Sequence, residues 1–220
     1  MIRHQSSGKR SGIVAIVLFM LILFTGVVAA PVHAQTVQEV VVSVENHYRD
    51  LNDLTAQVVQ TNVLKSIGKT QKYAGKLFIK KPGRLRLEYT NGQLVLIDGR
   101  SALFYSKKSE QVVKKTFTDF EHMNIPVAFL LGAAHIRDDF EVQQVDPKTP
   151  RVLELFPNKP GAAMKKLRLH TDGSGRITTL MIFDRSGNTT EVSFADIREG
   201  VGLEDKQFTF TAPKGTEIIE

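Results

Sequence analysis

The chain has 220 residues, with 29 Lys+Arg against 23 Asp+Glu, 13 Phe, no Trp and no Cys. Without a thiol it can form no disulfide, carry no lipid on an N-terminal cysteine and build no zinc–thiolate centre. The formal charge of +6 is not gathered into a dense Lys/Arg run, so it gives no case for nucleic acid as a partner.

In chain order, Arg3, Lys9 and Arg10 precede an uncharged stretch from Ile13 to Ala30, and Val32 and Ala34 supply short side chains at positions minus-three and minus-one of a cleavage site. This pattern predicts a secretory signal peptide, residues 1–34, removed after Ala34. The competing reading is a retained membrane anchor, because the apolar stretch is just long enough to span a bilayer. Removal leaves one domain, residues 35–220, with a balance of +3, since every charge in the leader is basic.

Thr36-Val37-Gln38-Glu39 is a capping box, and Val37, Val40, Val41, Val44, Tyr48 and Leu51 follow at helical spacing, predicting an amphipathic helix of about four turns. Tyr48 is read as packing against a sheet. Leu54 to Leu64 alternates Thr, Val and Gln and predicts the first strand, with a polar loop, Lys65 to Gln71, returning the chain to Tyr73. Between Gly75 and Lys115, short apolar runs are separated by KKPGR, TNGQ, DGR and SKKSE. These separators predict turns and four consecutive antiparallel strands. Leu85, Leu87 and Tyr89 alternate with Arg84, Arg86 and Glu88, so one face is dry and the other is expected to face water. Leu94 to Ile97 does not alternate, which predicts a strand covered on both sides.

From Phe117 to Leu131 the period changes, and Pro126 and Gly132 bracket what reads as two short helices. Strand candidates follow at Phe140–Val145, Val152–Phe156, Lys165–His170, Ile177–Phe183 and Thr190–Ile197, with Asp172-Gly173-Ser174-Gly175 and Arg185-Ser186-Gly187-Asn188 as turns. Phe208 and Phe210 are expected in a final strand. The fold class is therefore mainly β: a single curved antiparallel sheet of nine to eleven strands forming a half-open, incomplete barrel, with an N-terminal helix and short lid helices at its mouth.

Catalytic signatures are missing from the sequence: there is no GxSxG elbow, no phosphate-binding loop and no dinucleotide fingerprint. His47, His122, His135 and His170 show no metal-ligand spacing. Asp98 and Glu88 read as a turn residue and a solvated strand face, so neither an enzyme nor a metal or cofactor is expected. Apolar surface, by contrast, exceeds simple alternation at Leu94–Ile97, Ala102–Tyr105, Phe129–Leu131 and Ile177–Phe183. A curved sheet of this kind needs a packed helix or a bound lipid on its concave face.

Several stretches together resemble the periplasmic lipoprotein carrier family LolA. They are Leu51-Asn52-Asp53-Leu54-Thr55-Ala56 with Gln60-Thr61, Gly75-Lys76-Leu77, Lys81-Pro82-Gly83-Arg84-Leu85-Arg86, Asp98-Gly99, Tyr105, Glu110-Gln111, Asn124-Ile125-Pro126, Leu130-Leu131 and Phe208-Thr209-Phe210 to Thr216. The resemblance implies a monomeric periplasmic protein that hides the acyl chains of lipoproteins in an apolar cavity. It would receive them from an inner-membrane transporter and deliver them to an outer-membrane acceptor. The alternative on the same fold is a lipid or glycolipid carrier, or a sensor of mislocalised lipoproteins. Matching to the family assigns Leu85, Leu87 and Val95 to the cavity, with Val127 and Leu130 supplied by the lid. It assigns lid contact to Lys81, where the family commonly has arginine, whose planar fork an ammonium lacks. The family's bulky cavity aromatics correspond here to Leu85 and Leu87, which implies a wider or differently filled cavity.

Overall fold

Thr36 opens the first helix of the computed structural model, which describes residues 1, 35–116, 129–132, 135–146, 148–159 and 164–219. The Thr36 hydroxyl accepts from the Glu39 amide at 3.2 Å, and the Glu39 carboxylate accepts from the Thr36 amide at 2.8 Å, so two otherwise unpaired donors are satisfied. Helix α1 (Val37–Asp50) then buries Val40, Val41, Val44 and Tyr48 along one stripe. At roughly 1.5–3 kcal/mol for each large side chain, this burial rather than helix propensity holds α1 in place. Packing divides the chain into two units, Met1–Ala34 and Gln35–Glu220, and every helix and strand described here lies in the second.

One open, curved sheet makes up the rest. In chain order its strands are β1 (Asp53–Leu64), β2 (Lys69–Lys80), β3 (Arg84–Tyr89), β4 (Gln93–Asp98), β5 (Ser101–Ser106) and β6 (Gln111–Thr116). After α2 (Phe129–Gly132) and α3 (Ile136–Asp139) come β7 (Phe140–Gln144), β8 (Val152–Pro157), β9 (Met164–Thr171), β10 (Ile177–Asp184), β11 (Thr189–Glu199) and β12 (Glu217–Ile219). The spatial order is β12-β6-β5-β4-β3-β2-β1-β11-β10-β9-β8-β7. Two hairpin meanders thus flank a central pair, β1 and β11, and the sheet does not close into a barrel.

The predicted elements correspond closely, with four corrections, the first being that the sheet has twelve strands rather than nine to eleven. The stretch from Gly75 to Lys115 holds five strands rather than four, because its four separators divide five runs. The sheet is mixed, since β12 lies parallel to β6: the chain crosses the outer face after β11 and arrives beside β6 in the same direction. Phe208 and Phe210 are not in a strand. Asp205–Phe208 is a 3-10 turn that sets Phe208 on Leu96 and Leu203, and Arg86 donates to the Gln207 and Thr209 carbonyls at 3.2 and 2.9 Å in place of a neighbouring strand.

The same segment explains Leu94 to Ile97. Val95 and Ile97 belong to the main core, whereas Leu96 packs on the other side against Leu203 and Phe208. Both faces of β4 are covered, but the outer cover is the chain's own C-terminal segment. Arg84 and Arg86 are accordingly half-buried instead of facing water, the first paired with Asp205 and the second with Glu88 and the two carbonyls. Asp53, 6 % exposed, anchors the start of this segment, accepting from the amides of Val201, Gly202 and Leu203 at 2.7, 3.0 and 3.1 Å.

Candidate functional site

Strand pairing lines up the inner face in continuous aliphatic rows. Leu77 lies opposite Leu87, Leu87 opposite Val95, and Val95 opposite Phe104; one step along, Ile79, Leu85, Ile97 and Ala102 form a parallel row. Across β8 to β11, Leu153, Leu169, Leu180 and Val192 make a third row, and Leu155, Leu167 and Ile182 a fourth. Strict alternation on β3 is what permits this: a slip of one residue would bring Arg84, Arg86 and Glu88 inward.

Leu85, Leu87, Val95 and Leu130 fall in a single buried cluster, at 0, 0, 3 and 3 % exposure. Val127 and most of the predicted lid, Phe117 to Leu131, lie outside the described residues. The cluster also includes Val40, Val41, Val44 and Tyr48 of α1 and Ile136 of α3, so helices cover the inner face. Phe129 of α2 meets Phe140 edge to face at 5.9 Å.

Polar contacts around the margin hold these helices down. The Lys81 ammonium donates to the carbonyl oxygens of Tyr48 and Arg49, the latter at 3.0 Å, and so satisfies the C-terminal end of α1 with a positive charge. Burial pushes the Lys81 ammonium down from its usual range, an effect that the Arg49 charge adds to and Asp50 opposes. The Tyr48 hydroxyl accepts from the Ile177 amide at 3.3 Å and is pushed up by burial. At the helix C-terminus the His47 ring pairs with Glu199 at 3.0 Å.

The remaining attachment is Glu45, a carboxylate on the buried stripe of α1, 2 % exposed. It accepts from the Arg137 backbone amide at 2.9 Å and from the Arg137 guanidinium at 2.8 and 2.6 Å, tying α1 to α3. Burial acts to raise the Glu45 carboxyl, but the hydrogen bonds and charge of Arg137 outweigh it and hold the group below its ordinary value. Sequence reading missed this pair. Its signal was present, since Glu45 interrupts an apolar stripe four residues after Val41 and one after Val44.

Among the described residues no group of His, Cys, Asp or Glu could hold a metal ion, and no helix is long and apolar enough to cross a membrane. What the described residues form is an apolar face covered by helices.

Residues 49–211 match the family described as outer membrane lipoprotein carrier protein LolA. The chain belongs to the LolA family. It is 26 % identical over 205 residues to an outer-membrane lipoprotein carrier protein of Nitrosomonas europaea, covering 92 % of this chain and 97 % of that one. A carrier of the same name from Pseudomonas paraeruginosa is 28 % identical over 170 residues, or 76 % of this chain and 81 % of that one. In fold it is similar to an uncharacterized conserved protein from Thermus thermophilus, at a TM-score of 0.51 and 12 % identity, covering 84 % of this chain and 99 % of that one. LolA is a family of carriers, not of enzymes, and its stretch here runs from the end of α1 to the segment over the outer face.

Proposed function

We propose that this protein carries acylated lipoproteins across the periplasm, taking them from an inner-membrane transporter and passing them to an outer-membrane acceptor. Its membership of the LolA family supports the class of cargo. The observation that carries the mechanism is the set of aliphatic rows centred on Leu85, Leu87 and Val95, faced by helices whose margins are held by few polar contacts. Residues 1–34 act as the export signal, cleaved after Ala34, and the domain 35–220 works as a monomer.

The physical need is large. Exposing one acyl chain of ~15 methylenes to water costs on the order of 12 kcal/mol, so cargo does not cross unaided. In the closed state the helices occupy the place of the chains. Cargo binding displaces α1 and α2 and exchanges one apolar cover for another, so the net free energy is small and release stays possible. Lys81 regulates this exchange by holding the last turn of α1, and Leu130 moves with α2.

A photo-crosslinking residue at Leu87, compared with one at Arg86, tests the reading with a lipoprotein bearing its own acyl chains. Crosslinks to the acyl chain are expected from position 87 and not from 86, because Arg86 points to the outer face. Equal reaction from both, or reaction from 86 alone, would sink the assignment of the cavity. Lys81→Leu is expected to alter the rate of cargo uptake more than the melting temperature; unchanged transfer and an unchanged melting temperature would remove Lys81 from the mechanism.

A further inference from the structure

A large opening lies not on the inner face but on the outer one, between β3–β6 and the C-terminal segment, with a volume of about 600 Å³. That is within the roughly 300–1,000 Å³ of small-molecule sites. One wall is sheet, including Ile218 of β12, and the other is the crossing segment, which contributes Phe208, Phe210 and Ala212.

Pairing registers give the groove a polar end and an apolar end. Arg84 lies opposite Asp98 beside the β4–β5 turn, where Arg100 and Ser101 also line the opening. The next row, Leu96 opposite Leu103 opposite Lys114, is aliphatic up to β6. Beyond it Val112 lies opposite Ile218 of β12. Lys114 can rest its stem on this row while its ammonium reaches the polar end.

Among the described residues the charges at that end do not cancel. Asp205 is already neutralised by Lys80 at 2.6 Å and by Arg84. Asp98 accepts from the Arg100 amide at 2.9 Å and from the Ser101 amide and hydroxyl at 2.8 and 2.9 Å, with Lys114 the nearby cation. Among the described residues the Arg100 guanidinium has no carboxylate partner, and an apolar floor lies next to it.

We infer that this groove is a second binding site, separate from the inner face, for a long-chain fatty carboxylate: head group at Arg100 and Lys114, tail along Leu96, Leu103 and Val112 under Phe208 and Phe210. A single carboxylate suits one uncancelled guanidinium assisted by one ammonium.

The chain contains no Trp, which makes the test direct. Phe210→Trp places the only indole at the groove, and dibromostearate, kept below its micellar concentration, serves as the quencher. Saturable quenching is expected. It should weaken roughly tenfold or more in Arg100→Glu or Lys114→Glu backgrounds and for dibromostearyl alcohol, which lacks the charge. Leu103→Trp provides the same readout should Phe210→Trp fail to fold. A parallel reporter at Phe129→Trp monitors the inner face. Quenching at position 129 but not at 210 or 103 overturns the proposal, as does groove quenching that ignores both the charge reversals and the loss of the carboxylate.

Discussion

At the scale of single residues, Glu45 is the most consequential side chain that the LolA resemblance does not flag. A buried carboxylate is tolerable only while Arg137 hydrogen-bonds it, so removing one partner should hurt more than removing both. We expect Arg137→Ala to lower the urea midpoint, and Glu45→Leu combined with Arg137→Ala to recover much of that loss; a double variant as unstable as the sum of the singles would show that the pair is not coupled. The pH dependence has a definite sign. The Glu45 carboxyl lies below its ordinary 4.5 in the folded protein, so its contribution is complete above that value and is lost as pH falls through the lower folded value. The stability advantage over Glu45→Gln should therefore shrink as pH falls below 4.5, as read by thermal unfolding of both proteins.

At the scale of elements, the seating of α1 depends on a turn at the far side of the sheet. Gly175, in the β9–β10 turn, has φ +85°, and a Cβ there would come 2.4 Å from the Ser43 carbonyl oxygen of α1. Neither backbone can give way easily, because Asp172 ties the turn through the Ser174 and Arg176 amides at 2.8 and 3.1 Å. Gly175→Ala is expected to destabilise by more than about 1 kcal/mol, combining positive-φ strain with the clash. Ser43 should also become more accessible to a label placed there. A variant as stable as the parent, with α1 equally protected from amide exchange, would mean that helix and turn are not in register as described. The turn and the helix thus share the closing of the inner face, and α2 and α3 complete it through Leu130 and Ile136.

On the scale of the whole molecule, the C-terminal segment converts an open sheet into a two-sided object. Asp53 is its hinge pin, bonding three successive amides, and Lys80 adds the Leu203 carbonyl at 2.7 Å. Asp53→Ala leaves those amides without their acceptor and should cost on the order of 3 kcal/mol. The loss should be local as well as global: hydrogen exchange at 201–210 is expected to rise more than in β9 and β10, because Leu96 and Phe208 lose their fixed cover while the inner rows stay packed. Uniform protection across both regions would show that the segment is held by Phe208 and Leu203 alone.

Local signals determined much of this protein by themselves. The capping box at Thr36, the alternation of Leu85 and Leu87 with Arg84 and Arg86, and the glycine turns at Gly92 and Gly99 act over a few residues, so α1, the strands and the register of β3 were legible. The resemblance carried the assignment of Leu85, Leu87, Val95 and Leu130 to one apolar face. What only the tertiary structure decided depends on partners far apart in the chain. Glu45 meets Arg137, Asp53 meets Leu203, and Arg86 meets Thr209 across separations of 92, 150 and 123 residues. Phe208 left the expected strand for the same reason: its side chain found Leu96 and its neighbours' carbonyls found Arg86, and no periodicity within a segment records where such partners stand.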